Sequence, residues 1–392
     1  MNWAVEFALF GGGLLILLIA GMWIPFAIGI SAVAAILLSD GMDGLRGLGM
    51  ISWASTNSFT LTAVPMFILM AEIILRSGVS TRCYEGLGKL VSGLPGGLLQ
   101  TNIVGCAFFS AISGSSVATA AAIGTAALPQ LDARGYDRRM AAGSLAAGGT
   151  LGILIPPSVA MILYGSFTET SVARLFMAGL IPGLLLAFVF MVFIGIVATI
   201  KPAVAPDNEV VPWRIRMQGL VEIIPFVILM LLVLGSLYAG FATPTEAAGF
   251  GCTLALIVGL VWGQVSLANL AIALRNTVRI SSTIMMIVLM AYVFSYAIEV
   301  SGISKALTDW FVSLDMHRLL FLALMVLIFT VLGCLLDSIA MIVLTVPLLF
   351  GPIKAYGIDP VWFGVILVLL LELGQITPPI GMNLFVVQGI SK

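Results

Sequence analysis

The sequence is short of charge. Asp, Glu, Lys and Arg make up only 9% of its 392 residues, against 61% hydrophobic side chains, and the mean hydropathy is +1.18. Soluble domains carry about 25% charged residues, so this composition cannot cover a water-facing surface. The 17 basic and 18 acidic residues nearly cancel, which leaves no basic field for nucleic acid. Histidine is almost missing, with His317 the single one. The four cysteines, Cys83, Cys106, Cys252 and Cys334, are scattered; no CxxC pair and no HExxH motif occurs. A zinc site, a histidine triad and a disulfide framework therefore lack their residues. What remains is a polytopic membrane protein.

A helix needs about 20 apolar residues to cross the hydrocarbon core. Apolar runs lie at roughly 4–38, 58–75, 94–130, 140–165, 172–200, 218–240, 244–263, 281–300, 318–352 and 358–390. The first has no basic n-region and no cleavage-like site, so it reads as mature sequence rather than a signal peptide. Gly21 and Pro25 divide it into two short crossings. Basic residues cluster three times: Arg76, Arg82 and Lys89; Arg134, Arg138 and Arg139; Lys201, Arg214 and Arg216. The positive-inside rule puts all three in the cytoplasm. Segment 94–130 then starts and ends on one side and must be a re-entrant hairpin, with Ile112-Ser113-Gly114-Ser115-Ser116 as its tip. Irregular backbone at that depth is tolerated where protein or a watery cavity satisfies it. Segment 318–352 has the same form, with Leu336-Asp337-Ser338 near its middle, and its flanks suit the outer face.

Self-similarity supports this reading. Ala20-Gly21-Met22-Trp23-Ile24-Pro25 matches Ala239-Gly240-Phe241-Ala242-Thr243-Pro244 at an offset of 219. Ser77-Gly78-Val79-Ser80 matches Ser301-Gly302-Ile303-Ser304 at 224, and Leu151-Gly152 with Pro156-Pro157 matches Leu373-Gly374 with Pro378-Pro379 at 222. At 222 the tips also superpose, Ser116 on Ser338. Four crossings per half, with 172–200 between them, predict two inverted repeats. Such repeats with paired broken helices point to a secondary transporter whose site lies near the midplane.

There a cation is held by carbonyls freed at helix breaks, with hydroxyls and carboxylates. The first candidate shell is Ser113, Gly114, Ser115 and Ser116 with Gly148, Gly149, Thr150, Gly152, Pro156, Pro157 and Ser158. The second is Gly333, Asp337 and Ser338 with Gly374, Thr377, Pro378, Pro379 and Asn383. Proline frees a carbonyl one turn earlier, and oxygen-only ligands suit a hard cation such as sodium. Gly and Ser clusters also serve close helix packing; their duplication beside Pro-Pro weighs against that reading. Asp337 is the strongest intramembrane carboxylate, while Glu72 and Glu372 divide between site and structural roles. Glu246, in Thr243-Pro244-Thr245-Glu246, reads as part of a helix cap, and His317 as a solvated loop residue. The amphipathic, basic stretch 265–280 fits an interface helix on the cytoplasmic face, with 39–56 as its outer counterpart.

These residues resemble a known family. Ser113-Gly114-Ser115-Ser116-Val117-Ala118-Thr119-Ala120-Ala121-Ala122-Ile123-Gly124 and Ala146-Ala147-Gly148-Gly149-Thr150-Leu151-Gly152-Ile153-Leu154-Ile155-Pro156-Pro157-Ser158 look like the large membrane subunit of tripartite ATP-independent periplasmic (TRAP) transporters, the DctM-like proteins of the ion-transporter superfamily. Thr243-Pro244-Thr245-Glu246-Ala247-Ala248 and Ile376-Thr377-Pro378-Pro379-Ile380-Gly381 are similar to later signatures of that family. The resemblance covers nearly the whole chain. It implies an elevator mechanism: a transport unit of hairpins and broken helices sliding against a scaffold braced by arm helices. It also implies a small four-helix membrane subunit (DctQ-like), a periplasmic substrate-binding protein (DctP-like) that sets specificity, and a bacterial inner-membrane location. Sodium, as two or more coupling ions and with no other cofactor, would drive uptake of an organic anion: a C4-dicarboxylate, sialic acid or similar carboxylate. No Walker motif is present for ATP. By resemblance one sodium site falls on Gly333, Gly374, Thr377 and the Ile380 carbonyl; the internal repeat puts its twin at Ser113, Gly152 and Ser158. Family members usually continue past Asn383-Leu384-Phe385 into a further helix, whereas this sequence stops at Lys392.

The fold expected is thus an all-α polytopic membrane protein. Residues 1–75 would form first-repeat scaffold helices and the outer arm, and 76–165 the first transport part, with hairpin 94–130 and broken helix 140–165. Residues 166–217 would connect. Residues 218–300 would give the second scaffold part and inner arm, and 301–392 the second transport part, with hairpin 318–352 and broken helix 358–390. The main alternative is a stand-alone or proton-coupled carrier in which Asp337 or Glu372 titrates. An intramembrane enzyme would need a nucleophile, base or metal set facing a cavity, and a structural subunit would have no site at all.

Overall fold

Backbone polar groups in a bilayer are satisfied within helices, and the described residues are helical throughout. The computed structural model describes residues 3–206, 211–334, 336–379 and 381–391. The first apolar run becomes α1 (Trp3–Ile19) and α2 (Ile24–Ser39). They separate where expected: Gly21 has a φ of +80° and Pro25 sits in the first turn of α2, where a missing N–H costs nothing. A short arm follows, α3 (Gly41–Gly44) and α4 (Leu48–Thr56), bent by 52° from the helical stretch that contains α5 (Ala63–Arg76). Then come α6 (Val79–Val91), α7 (Leu98–Ser113), α8 (Ser116–Ala133), α9 (Arg138–Leu154) and α10 (Val159–Thr168). The connecting helix is α11 (Val172–Ile200).

The second half begins with α12 (Trp213–Tyr238), α13 (Pro244–Trp262) and α14 (Leu267–Val300). It ends with α15 (Ile303–Ser313), α16 (Arg318–Gly333), α17 (Ser338–Ala355), α18 (Pro360–Ile376) and α19 (Met382–Ile390). The stretch 265–280 is not a separate helix. It runs straight into the 281–300 crossing as α14, because no Gly or Pro interrupts residues 267–300. Thr243 and Glu246 form the expected cap: Thr243 Oγ1 accepts from the Glu246 N–H, and the Glu246 carboxylate from the Thr243 N–H. His317 is exposed but caps α16, its Nδ1 accepting from the Leu319 N–H at 3.3 Å.

Six described helices, or seven counting the bent pair as one span, are long and apolar enough to cross a membrane, and shorter apolar helices accompany them. Exposed Ile181, Leu184, Phe188, Phe193 and Ile196 on α11 present an apolar surface of the kind a bilayer accommodates. The chain is a multi-pass membrane protein.

Both proposed hairpins return to the end they started from. The Leu98 N–H, at the start of α7, donates to the hydroxyl of Tyr136, just past α8. In the second half, Phe321 near the start of α16 stacks on Tyr356, just past α17, with ring centres 4.3 Å apart. The basic loops gather beside the first of these ends: Lys89 pairs with Glu222 at 2.8 Å, Arg216 donates to the Ser92 carbonyl, and the Asp137 N–H to the Val204 carbonyl.

The packing of the broken helices positions the site. Within each half the hairpin lies on the longer piece, α7 and α8 on α9, and α16 and α17 on α18. The shorter pieces cross over: α19 packs on α8 and α9, α10 packs on α17 and α18, and α9 touches α18. Around this block stand α5 with α13 and α14, and α14 with α2.

Candidate ion and substrate site

Both helix tips face one cleft of about 160 Å³. Ser113, Gly114, Ser115 and Ser116 line it from the first half, and Asp337, Ser338, Gln375 and Met382 from the second. The opposite wall is Ile68, Ala71, Glu72 and Leu75 of α5 with Ile280 and Ile284 of α14. Two of the lining side chains are carboxylates, Glu72 and Asp337, and none is basic. Glu72 is engaged from outside, by Asn276 Nδ2 at 3.0 Å and Arg76 at 3.5 Å.

The first break is closed by its own polar atoms. Gly114 takes a φ of +60°, a conformation that favours glycine, and this turn ends α7. Ser113 Oγ lies 2.6 Å from Thr119 Oγ1 and 3.3 Å from the Ser115 carbonyl. Ser115 caps α8, its Oγ accepting from the Ala118 N–H at 3.4 Å. The facing break follows from Pro156-Pro157, which bring no N–H to continue α9. Ser158 restarts the helix: its Oγ accepts from the Met161 N–H and donates to the Ile153 carbonyl at 2.5 Å. One backbone bond joins the two breaks, Val159 N–H to the Gly114 carbonyl at 3.2 Å. A methyl group at Gly152 would lie 2.5 Å from the Ser115 carbonyl oxygen, so the backbones touch only because that residue is glycine. Pro156, Pro157 and Ser158 are all buried.

The second break has the same parts and a looser closure. Asp337 caps α17, its Oδ1 accepting from the Ala340 N–H at 3.0 Å. Gly333 and Gly374 meet backbone to backbone; a methyl at Gly374 would lie 2.7 Å from Gly333 Cα. Thr377 Oγ1 donates to the Leu373 carbonyl at 2.6 Å, and Pro378 and Pro379 are exposed. Both Pro-Pro bonds, 156–157 and 378–379, are cis. Gln375 Nε2 donates to Ser338 Oγ at 2.6 Å. Asn383 is fully buried and ties the halves together, exchanging hydrogen bonds with Ser116 Oγ and donating to the Ala146 carbonyl at 3.1 Å. Glu372 is 4% exposed, and neither carboxylate oxygen has a hydrogen-bond partner.

Of the residues expected from the sequence, Ser113 to Ser116, Asp337 and Ser338 share the cleft. Gly148, Gly149, Thr150, Gly152, Pro156, Pro157, Ser158, Gly333, Gly374, Thr377, Pro378, Pro379 and Asn383 do not line it. They stand behind the tips, where Gly149 faces Ala120 and Asn383, and Thr150 Oγ1 donates to the Ala147 carbonyl. Ile380 lies outside the described residues. Sequence reasoning missed Thr119, Gln375 and, apart from Glu72, the α5 and α14 wall. Gln375 had a signal, its position three residues after Glu372 on the same helix face; Ile280 and Ile284 had none.

Comparison with known proteins supplies the family. Residues 12–392 match the family described as tripartite ATP-independent periplasmic transporter, DctM component. The chain is 34% identical over 371 residues to the C4-dicarboxylate TRAP transporter large permease protein of Pseudomonas aeruginosa, covering 93% of this chain and 85% of that protein. It is 31% identical over 379 residues to the sialic acid TRAP transporter large permease protein of Vibrio cholerae, covering 96% and 88%. The fold resembles the crystal structure of the Alcanivorax borkumensis YdaH transporter, with a TM-score of 0.66 at 16% identity over 94% of this chain and 89% of that one. The two TRAP relatives are transporter permease subunits and not enzymes, and the chain belongs with them to the DctM family of TRAP transporter large permeases.

Proposed function

We propose that the chain is the large permease of a sodium-coupled importer of an organic acid anion in a bacterial inner membrane. The observation that carries this reading is the cleft. It is lined from both tips by hydroxyls and by the carboxylates of Glu72 and Asp337, with no Lys or Arg on its wall. An anion entering a low-dielectric cleft of that kind needs co-bound cations to offset its charge. Two glycine-permitted backbone approaches behind the cleft, Gly152 on Ser115 and Gly374 on Gly333, bring carbonyl-rich helix ends close together. Sodium would be held there as transported ion, by Ser113, Gly152 and Ser158 in one half and by Gly333, Gly374, Thr377 and Ile380 in the other.

The element order α5 to α10 recurs as α14 to α19. The hairpins, broken helices and crossed-over short pieces support an inverted repeat moving as one unit, elevator-fashion, against α2, α5, α13 and α14. The substrate is a C4-dicarboxylate, sialic acid or similar carboxylate, the cargo named for the relatives above. It would arrive on a periplasmic binding protein, with a small four-helix membrane subunit completing the complex.

The test is uptake into proteoliposomes holding the permease and its small subunit, with the binding protein outside and sodium and proton gradients imposed separately. Uptake should follow the sodium gradient and require the binding protein. A second reading, a proton-coupled stand-alone carrier, draws on Asp337 at the cleft and on the unpartnered carboxylate of Glu372. It predicts uptake driven by the pH gradient alone, without the binding protein.

A further inference from the structure

At the sequence offset of 219 to 224, α12 is the counterpart of α1 and α15 of α6. α12 packs on α6 and α1 on α15, but the two seams are filled differently. α12 and α6 meet backbone to backbone. A methyl group at Gly86 or at Gly219 would lie 2.7 Å from the carbonyl oxygen of the other. The Lys89–Glu222 pair at 2.8 Å and the Arg216 bond to the Ser92 carbonyl fasten that seam.

α1 also carries glycines, Gly11, Gly12 and Gly13, yet a methyl at any of them would meet nothing within 4 Å. Beside Gly11 lies a cavity of about 100 Å³. Phe10 and Leu14 of α1, Phe294 of α14, Ile303 of α15, and Leu344 and Leu348 of α17 line it. No lining residue has a polar side chain. Glycine weakens a helix interior, and native interiors hold few voids larger than a water molecule.

Water does not suit this space, because a buried water needs two to four polar partners. A further helix, about 10 Å across, is too wide. A hydrocarbon chain fits, as apolar cavities of about 150 Å³ take up benzene. The cavity is also continuous with the outer surface of α1. Phe7 at its rim is 38% exposed, Gly11 and Leu348 are partly exposed, and Leu9, Leu15 and Ile16 of the same helix are exposed.

We propose that the cavity takes the end of a phospholipid acyl chain, which enters past Phe7 and Gly11 and wedges α17 against α14. The chain would touch Leu344 and Leu348 on the second hairpin, and Phe294 and Ala35 on the helices around it. It therefore slows their relative motion. The wedge rests on the reading above in which the hairpins move against α2 and α14; the binding of the chain does not.

The experiment places the full chain and its co-purified small subunit in nanodiscs doped with a phosphatidylcholine that carries a diazirine at the end of one acyl chain. Photolysis should label buried Phe10, Leu14 or Phe294, which a chain reaches through the cavity, as well as exposed Ile181 and Phe188 as the control. Gly11→Leu fills the cavity from a position with room for its Cβ. Cavity labelling should fall severalfold, with labelling of α11 unchanged. Gly11→Ala, a smaller side chain and a better helix former than glycine, should lose part of the labelling. Uptake is then compared in lipids with straight and with methyl-branched chains. Wild type should transport severalfold faster in the branched lipid, whose wider chain enters the cavity poorly, and Gly11→Leu should run at one rate in both.

Buried residues left unlabelled in wild type, or labelled equally in both variants, overturn the site. Cavity labelling with a wild-type rate equal in the two lipids overturns the wedge. If uptake proves to follow a proton gradient instead of sodium, the labelling and the lipid comparison read the cavity as before, so the two proposals fail separately.

Discussion

The two helix breaks are built from the same residue types and close differently. In the first, Pro156, Pro157 and Ser158 are buried, and the serine hydroxyls are spent on local carbonyls, caps and Thr119. In the second, Pro378 and Pro379 are exposed, Thr377 is half-buried, and a buried carboxylate and amide oxygen stand unpartnered. One break is satisfied by the protein alone; the other keeps acceptors that no described residue fills. Equal motifs thus carry unequal electrostatic demand, and the second half is where an added cation has most to stabilise.

The most direct attack on that contrast is Gly152→Ala. Its methyl would lie 2.5 Å from the Ser115 carbonyl oxygen and 2.7 Å from Thr119 Oγ1 in a fully buried seam. Overpacking of this kind costs about 1–3 kcal/mol, and at this seam the upper end is expected, with uptake lost. Gly374→Ala meets Gly333 backbone at 2.7–2.9 Å beside an exposed break that has room to yield, so its loss of Tm should be smaller. Equal losses in a side-by-side thermal melt would erase the contrast.

Asn383→Ala comes next. It removes the bonds to Ser116 Oγ and the Ala146 carbonyl, and unpaired buried groups cost about 1–3 kcal/mol. Denaturation in detergent micelles should register that drop. A change within error would mean the halves are held together elsewhere.

The two caps offer a finer comparison. Asp337→Ala deletes a charged cap at 3.0 Å, and Ser115→Ala a neutral one at 3.4 Å. Cap removal costs about 0.5–2 kcal/mol; Asp337 should fall in the upper part of that range and Ser115 at the bottom. Amide hydrogen exchange at Ala340 and Ala118 reads the two locally, and faster exchange at Ala118 would reverse the order.

The smallest effect is expected at the seam with the surrounding helices. Tyr292→Phe keeps the ring stacked on Phe167, at 4.7 Å, and removes only the hydroxyl that lies 2.8 Å from Ser166 Oγ. Hydrogen bonds between membrane helices average about 0.6 kcal/mol, so Tm should move little. An uptake rate changed severalfold at unchanged stability would mark this bond as a brake on motion between α10 and α14.

Much of the architecture was legible because membrane burial makes helix breaks conspicuous. Gly21 with Pro25, Ser113 to Ser116, and both Pro-Pro pairs sit where helices stop. The Thr243–Glu246 cap was readable for the same local reason. That 265–280 would be continuous with 281–300 was not legible, because amphipathic composition says which face is polar, not where a helix ends. Without Gly or Pro, hydrogen bonding simply propagates through α14. At the site, Thr119 was overlooked since a polar residue inside an apolar helix carries no mark of what it faces, and Gln375 carried only its spacing from Glu372. Glu372 was visible as a residue, but its isolation depends on six neighbouring helices that offer it no cation.

The amino-acid sequence by itself determined the solvent, the places where helices start and break, and the duplicated motifs, because these follow from local backbone chemistry and hydropathy. Only the tertiary structure decided that α10 and α19 cross into the opposite half, that both tips share one cleft with Glu72, and that one break is saturated while the other is not. The first two outcomes depend on contacts between residues far apart in the chain, such as Tyr164 with Pro360 and Ser116 with Asn383, and no short-range pattern encodes which distant helix a buried side chain will meet.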